Sequence, residues 1–343
     1  MIRKRTQKGL FLKVVITIAS IFSVIASTFD GLPANASPSN TSALPSNLSG
    51  FASNAKVARN IAEGIVAKAY PKDFKDQMAR LSAGKNWGAI YPGASSPKCI
   101  GAKGATPEPI SECTGGDKTS KYVVALIGDS RAGMWGGTFD NVGYLTHFKL
   151  INIYKSGCPA PLDNYASFGV ATPDCARFHE ALIKLLNQLK PNLIVVSSQT
   201  EIVVTSPPPF HLAPPDVTQR DLEALIHRLP RTSKVVVLGG FPTPGSNDTF
   251  NPTLCLSRVP SPPSSCNFTE ILAVKVSNQA FKNAAASSHV GYIDQRPWFC
   301  LSTCPPIIGG KVVWTKDAFH ANGAYLVTLT GVLAAALAPY TAH

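Results

Sequence analysis

The sequence predicts an α/β protein: a flavodoxin-like three-layer α/β/α sandwich around a mainly parallel five-stranded sheet. Three observations predict it. From Lys121 onward, short β-rich runs alternate with segments of helical periodicity, the pattern of a parallel sheet covered on both faces. The chain has 343 residues, enough for one large core without metal or disulfide support. No internal repeat breaks the rhythm into smaller units.

The elements follow in order. Arg3, Lys4, Arg5 and Lys8 precede an apolar stretch from Val14 to Ala26, and Ala34-Asn35-Ala36 offers small residues for cleavage. Residues 1–36 therefore read as a signal peptide. The apolar run is shorter than the roughly 20 residues that span a bilayer; an uncleaved N-terminal anchor, lengthened by a snorkelling Lys13, is the alternative. Residues 37–56 are rich in Ser, Asn, Pro and Ala and read as a flexible linker. Residues 57–120 form an N-terminal extension. It opens with a helix marked by Val57, Ile61, Ile65 and Ala69 at four-residue spacing, and its Gly- and Pro-rich end is read as a disulfide-held loop. Residues 121–343 are the main domain. Strands are expected at Tyr122–Ile127, Phe148–Tyr154, Leu193–Val196, Lys234–Leu238 and Val290–Ile293. Helices are expected at Ala176–Leu189, Leu222–Leu229, Glu270–Ser287 and Ala321–Ala338. The apolar stretch Leu326–Ala338 reads as a buried helix, too short to cross a bilayer.

The net charge of +12 suits attraction to anionic envelope polymers or lipid headgroups. No basic helix carries interleaved aromatics, so nucleic acid is not an expected partner. The eight cysteines fall in close pairs: Cys99 and Cys113, Cys158 and Cys175, Cys255 and Cys266, Cys300 and Cys304. In an exported chain these read as four local disulfides. No C-x-x-C spacing points to zinc, and neither a metal nor a cofactor is expected.

The chemistry concentrates in two places. Gly128-Asp129-Ser130 ends the first strand, at the carboxyl edge where such sheets bind ligands near the switch in strand order. A serine there is exposed, with its N–H at the start of a helical turn, Arg131–Gly136; an ordinary helix cap is the plainer account of it. Asp317 and His320 stand three apart before the last helix. At that spacing the carboxylate can orient the imidazole, as a Ser-His-Asp arrangement requires. Ser130 is thus the expected nucleophile, His320 its base and Asp317 the orienting acid.

These two motifs resemble the first and last conserved blocks of the SGNH (GDSL-type) hydrolases. More narrowly, the chain resembles the SGNH domain associated with acyltransferase-3 membrane proteins. Gly128 through Trp135 resembles its first block, with Arg131 where His is usual, and Lys155-Ser156-Gly157-Cys158-Pro159 its second. Tyr292-Ile293-Asp294, Trp298-Phe299-Cys300, Cys304-Pro305 and Asp317 to His320 resemble its C-terminal part. The resemblance implies acyl-ester chemistry on cell-envelope glycans. It departs at the third block: Ser197-Ser198-Gln199-Thr200-Glu201 stands where many relatives have Gly-x-Asn-Asp. The expected oxyanion donors are therefore the N–H of Ser130, the N–H of Gly157 and the amide of Gln199. Arg131 is a candidate for an anionic substrate group. The expected function is an exported serine esterase or O-acyltransferase acting on acyl, foremost acetyl, esters of glycans. A transferase would need a separate membrane acyltransferase or a soluble acyl donor. The alternative is a non-catalytic glycan-binding module on the same fold.

Overall fold

In the first unit of the main sheet, Val124 and Leu126 point to one core while Ala125 and Ile127 point to another. This alternation is what a strand buried on both faces requires. The computed structural model describes residues 48–84, 110–161, 165–167, 170–171, 174–200, 203–204, 211–244, 250–258 and 261–342. The segments read as signal peptide and most of the linker lie outside these residues.

Two helices come first, α1 (Asn54–Ile65) and α2 (Phe74–Ser82). Helix α1 starts inside the segment read as linker, capped by the Ser53 hydroxyl, and Leu48 before it is buried. The main sheet is built from β1 (Thr114–Gly116), β2 (Val123–Gly128), β3 (Lys149–Tyr154), β6 (Leu193–Ser197), β9 (Lys234–Leu238) and β10 (Gly291–Ile293), in the order β1-β3-β2-β6-β9-β10. The last five run parallel in the flavodoxin-like order, and β2 flanks the switch point. The sheet therefore has six strands rather than five. The extra one, β1, pairs antiparallel with β3. Its sequence, Thr-Gly-Gly, carries no apolar run that periodicity could detect.

One face is covered by α3 (Ser130–Thr146), α8 (Gly323–Leu326) and α9 (Thr330–Thr341). The other is covered by α4 (Cys175–Leu189), α5 (Pro215–Arg228) and α7 (Leu272–Ser287). Helix α6 (Pro252–Leu256) lies in the long segment before α7. A second sheet of short antiparallel strands joins β4 (Tyr165–Ser167), β5 (Val170–Ala171), β7 (Val203–Val204) and β8 (His211–Leu212). It links the segments that follow β3 and β6. A hairpin of β11 (Ile307–Ile308) and β12 (Lys311–Val312) precedes the closing helices.

The closing helical run, Gly323–Thr341, spans 19 residues and is long and apolar enough to cross a membrane, contrary to the shorter Leu326–Ala338 reading. Leu326, Leu329, Val332, Leu333 and Leu337 are nevertheless buried in the core beneath α3. Three disulfides join Cys158–Cys175, Cys255–Cys266 and Cys300–Cys304. Cys113 is disulfide-bonded too; Cys99, its expected partner, lies outside the described residues.

Candidate active site

Strand β2 ends where the chain must turn sharply. Gly128 has φ +145°, and a Cβ there would stand 1.8 Å from the Ser197 carbonyl oxygen of the neighbouring strand. Only glycine fits. Asp129 then caps α3, its Oδ1 accepting from the Arg131 N–H at 2.8 Å. The cap is thus Asp129 and not Ser130. Ser130 is the first helical residue, so its N–H is one of the orphan donors of the helix start, and its hydroxyl is free for another partner.

That partner is His320, whose Nε2 lies 2.7 Å from Ser130 Oγ. On its other side, His320 Nδ1 lies 2.8 Å from Asp317 Oδ2. Asp317 and His320 sit not on a helical turn but in a tight loop with Ala318 at φ +61°, an uncommon conformation for a residue with a Cβ. Asp317 Oδ1 organises the loop by accepting from the Thr315 hydroxyl at 2.6 Å, the Phe319 N–H at 2.9 Å and the His320 N–H at 3.1 Å. Burial alone would raise the Asp317 carboxyl. The hydrogen bond and charge of His320, with the Thr315 and Phe319 donors, outweigh it and hold the group well below the usual carboxylate range.

The loop is anchored from several directions. Thr315 N–H bonds the His320 carbonyl at 2.9 Å, and Thr253 Oγ1 bonds the Trp314 carbonyl at 2.7 Å. Asn322 caps α8 through Ala324 N–H and reaches back to the Val312 carbonyl at 2.8 Å. Gln77 of α2 is buried against the hairpin. Its amide donates to the Gly310 carbonyl at 2.8 Å and accepts from Val312 N–H at 2.9 Å.

Ser130, Asp317 and His320 line a cavity of about 250 Å³ together with Met134, Tyr154, Ser156, Thr315 and Ala321. The last five went unmarked by motif reasoning. Met134 lies in the first conserved block, Ser156 in the second, and Thr315 two residues before Asp317, which is the only signal the sequence offers. Ser156 lines the cavity; Gly157 after it, expected to offer its N–H, has φ +76° and is not among the lining residues. Nor is Gln199. It is half-buried, and its backbone N–H donates to Asp129 Oδ2 at 2.8 Å. Arg131 is only 2% exposed and lies over the Phe241 ring, 5.0 Å from its centroid. The structure thus places it in the interior rather than at the cavity, because an arginine one residue into α3 faces back toward the core. Trp135, Trp298 and Trp314 are likewise buried in the core.

Asp129 is the buried centre of this edge. Besides the Arg131 N–H, it accepts from Gln199 N–H and from the Ser198 hydroxyl at 3.1 Å. Ser198 Oγ in turn accepts from Ala160 N–H at 2.9 Å. One carboxylate therefore joins the segments that follow β2, β3 and β6. Burial pushes it up, and these donors with the Arg131 charge offset only part of that. Among the described residues, no group of three or more His, Cys, Asp or Glu side chains is placed to hold a metal.

Solved structures of similar shape share little sequence with the chain. The Salmonella ser. Paratyphi A lipopolysaccharide acetyltransferase periplasmic domain is 12% identical, with 76% of this chain and 94% of that chain covered and a TM-score of 0.47. The lipase/acylhydrolase from Enterococcus faecalis is 14% identical, covering 63% and 95%, with a TM-score of 0.37. A carbohydrate esterase family 2 enzyme of Corynascus thermopiles (Myceliophthora fergusii) is 16% identical, covering 64% and 66%, with a TM-score of 0.36. No curated protein matches the chain. Residues 98–334 match the family described as SGNH domain (fused to AT3 domains), a family of acyl esterase and acyltransferase chemistry, and with most of its length matched the chain belongs to that family.

Proposed function

We propose that the protein is an exported serine esterase or O-acyltransferase that acts on acyl, foremost acetyl, esters of cell-envelope glycans. The single observation that carries the reading is the unbroken line Ser130 Oγ–His320 Nε2 at 2.7 Å and His320 Nδ1–Asp317 Oδ2 at 2.8 Å, opening on a cavity. A serine hydroxyl is a weak nucleophile until a base takes its proton. His320 takes that proton as Ser130 attacks the ester carbonyl, then returns it to the departing sugar oxygen. Asp317 holds the ring and stabilises its charged form. The Ser130 N–H, at a helix start, faces the developing oxyanion, and the N–H of Gly157 is the second donor proposed. Water then releases the acyl group in an esterase; a sugar hydroxyl accepts it in a transferase. A transferase draws its acyl group from a membrane acyltransferase, in keeping with a family named for fusion to such domains, or from a soluble acyl donor.

Fluorophosphonate labelling and p-nitrophenyl acetate turnover test the reading, each with wild type and Ser130→Ala and with and without an added glycan acceptor. Ser130-dependent labelling and turnover are expected. Transfer to the acceptor exceeding hydrolysis would make the protein a transferase. The binding-module reading draws support from one observation, that Gln199 does not line the cavity. Absence of Ser130-dependent turnover in both conditions would favour it.

A further inference from the structure

A second cavity, of about 310 Å³, lies between α7 and β10, the edge strand of the main sheet. The reaction proposed above makes no use of it. Its walls are polar: Lys275, Asn278, Gln279 and Lys282 along one face of α7, against Tyr292, Asp294 and Arg296. The spacing of three, four and seven residues is what puts those four side chains on one helix face.

The groups here divide sharply by whether they are already engaged. Glu270, the other acid of the cavity, pairs with Arg296 at 3.1 Å, and Asp294 Oδ1 accepts from the Arg296 N–H at 2.9 Å. Glu270 thus balances the Arg296 charge, whereas Asp294 is held only by a backbone N–H. Asn278 Oδ1 accepts twice, from Gly240 N–H at 2.6 Å and from the Tyr292 hydroxyl at 2.9 Å. This fixes the carboxamide and leaves its NH₂ as a donor. Lys275 and Lys282 are exposed, and neither has an ion-pair partner among the described residues. What faces solvent is therefore rich in donors and, with Lys275, Lys282 and Arg296 set against Glu270 and Asp294, keeps a net positive charge.

The position gives these donors a use. β2, which presents Ser130, and β10 are separated by β6 and β9. Three inter-strand steps of about 4.8 Å put β2 and β10 roughly 15 Å apart across the sheet. A small ester does not bridge that distance, but a polymer does.

We propose that this cavity is a distal subsite for an anionic, polyhydroxylated polymer. Lys275 and Lys282 hold a carboxylate or phosphate on the chain, and Asn278 holds a hydroxyl, while an acyl ester further along the same chain lies at Ser130. The proposal rests on the esterase or transferase reading for what happens at Ser130, but not for the binding itself. It narrows the substrate from any glycan ester to a charged polymer.

The test is the Lys275→Ala/Lys282→Ala double variant. Both sites are exposed on a helix where alanine is well tolerated, so the fold is retained. Two probes separate the sources of negative charge: polygalacturonate for carboxylate, poly(glycerol phosphate) for phosphate. Wild type should bind at least one of them, and the variant should bind it about tenfold more weakly, with the difference shrinking in high salt. Turnover of p-nitrophenyl acetate should not change in the variant, while KM for an O-acetylated acidic polymer rises with kcat preserved. Failure of wild type to bind either polymer, or equal binding by the variant, overturns the subsite. Polymer binding that the variant loses, without any Ser130-dependent turnover in wild type, supports the subsite and overturns only the esterase reading.

Discussion

The Ser130 side of the site is rooted in the parallel sheet, whereas the Asp317–His320 side hangs on a loop held from outside it. Ser130 follows β2 directly, and its turn is fixed by Gly128 against Ser197 and by Asp129, itself 2% exposed. On the other side, the His320 and Asp317 side chains are 25% and 50% exposed. Their loop is secured by a two-residue hairpin, by the α6 segment and by Gln77 from a helix that precedes the family-matched residues. The difference teaches that Ser130 is placed by the fold itself, while His320 is placed by peripheral elements added to it. Damage to the first side should be global and steep. Damage to the second should be graded.

The steepest test removes the meeting groups. Ser130→Ala and His320→Ala should each abolish most p-nitrophenyl acetate turnover, and the double variant should be little worse, because the residues act as a unit. Additive losses would show that they do not. Asp317→Asn should lose less than His320→Ala, since the loop amides still have an oxygen to bond.

Next in size is Asp129→Asn. An amide nitrogen would face the Gln199 N–H or the Ser198 hydroxyl in place of an acceptor, at a cost of about 1–3 kcal/mol. We expect kcat to fall on the order of 10- to 100-fold with KM nearly constant. A wild-type kcat would mean that the sheet side tolerates loss of its central acceptor.

Gln77→Leu probes the other side. It strips the Gly310 carbonyl and Val312 N–H of their partner without changing much volume, and should lower kcat by only about three- to tenfold. Measured well below the melting temperature, an unchanged kcat would show that the brace does not reach His320.

The smallest effect is on stability alone. Asp140 of α3 is fully buried against β1, accepting from Gly116 N–H at 2.6 Å, and burial pushes its carboxyl up to about 6. Between about pH 4 and that value the folded chain binds more protons than the unfolded one, so stability falls as pH rises. Asp140→Asn should therefore match wild type near pH 4 and exceed it above about pH 6, by up to about 3 kcal/mol. Melting curves across that range would show it, and a pH-independent difference would exclude it.

The same contrast explains what could be read from sequence. The five parallel strands were legible because both faces are buried, and a continuous apolar run such as Val123–Ile127 leaves little else to be. The meeting of Ser130, His320 and Asp317 was legible because two motifs coincided in one α/β chain. β1 was not, since Thr-Gly-Gly joins the sheet through backbone alone. Helix α3 was read as a single turn because it carries Gly133, Gly136, Gly137 and Gly143. The structure gives a reason for the first of them: a Cβ at Gly133 would stand 2.5 Å from the Tyr154 ring. Arg131 and Gln199 were misplaced because sequence adjacency to a motif says nothing about which way a side chain turns. The cavity walls Tyr154 and Ala321 belong to no motif; only the folded chain brings them together.

The aromatic packing behind the His320 loop has an optical consequence. Trp314 stands three residues before Asp317, fully buried, with the Phe268 and Phe241 rings 4.9 and 5.9 Å away. Trp135 and Trp298 are buried as well, their rings 5.8 Å apart. Their emission should be blue-shifted in the native protein. Trp314 alone among the three is carried by the segment that holds His320. Replacing Trp87, Trp135 and Trp298 with phenylalanine would leave Trp314 as an intrinsic reporter whose red shift registers the loop swinging into water before the sheet melts.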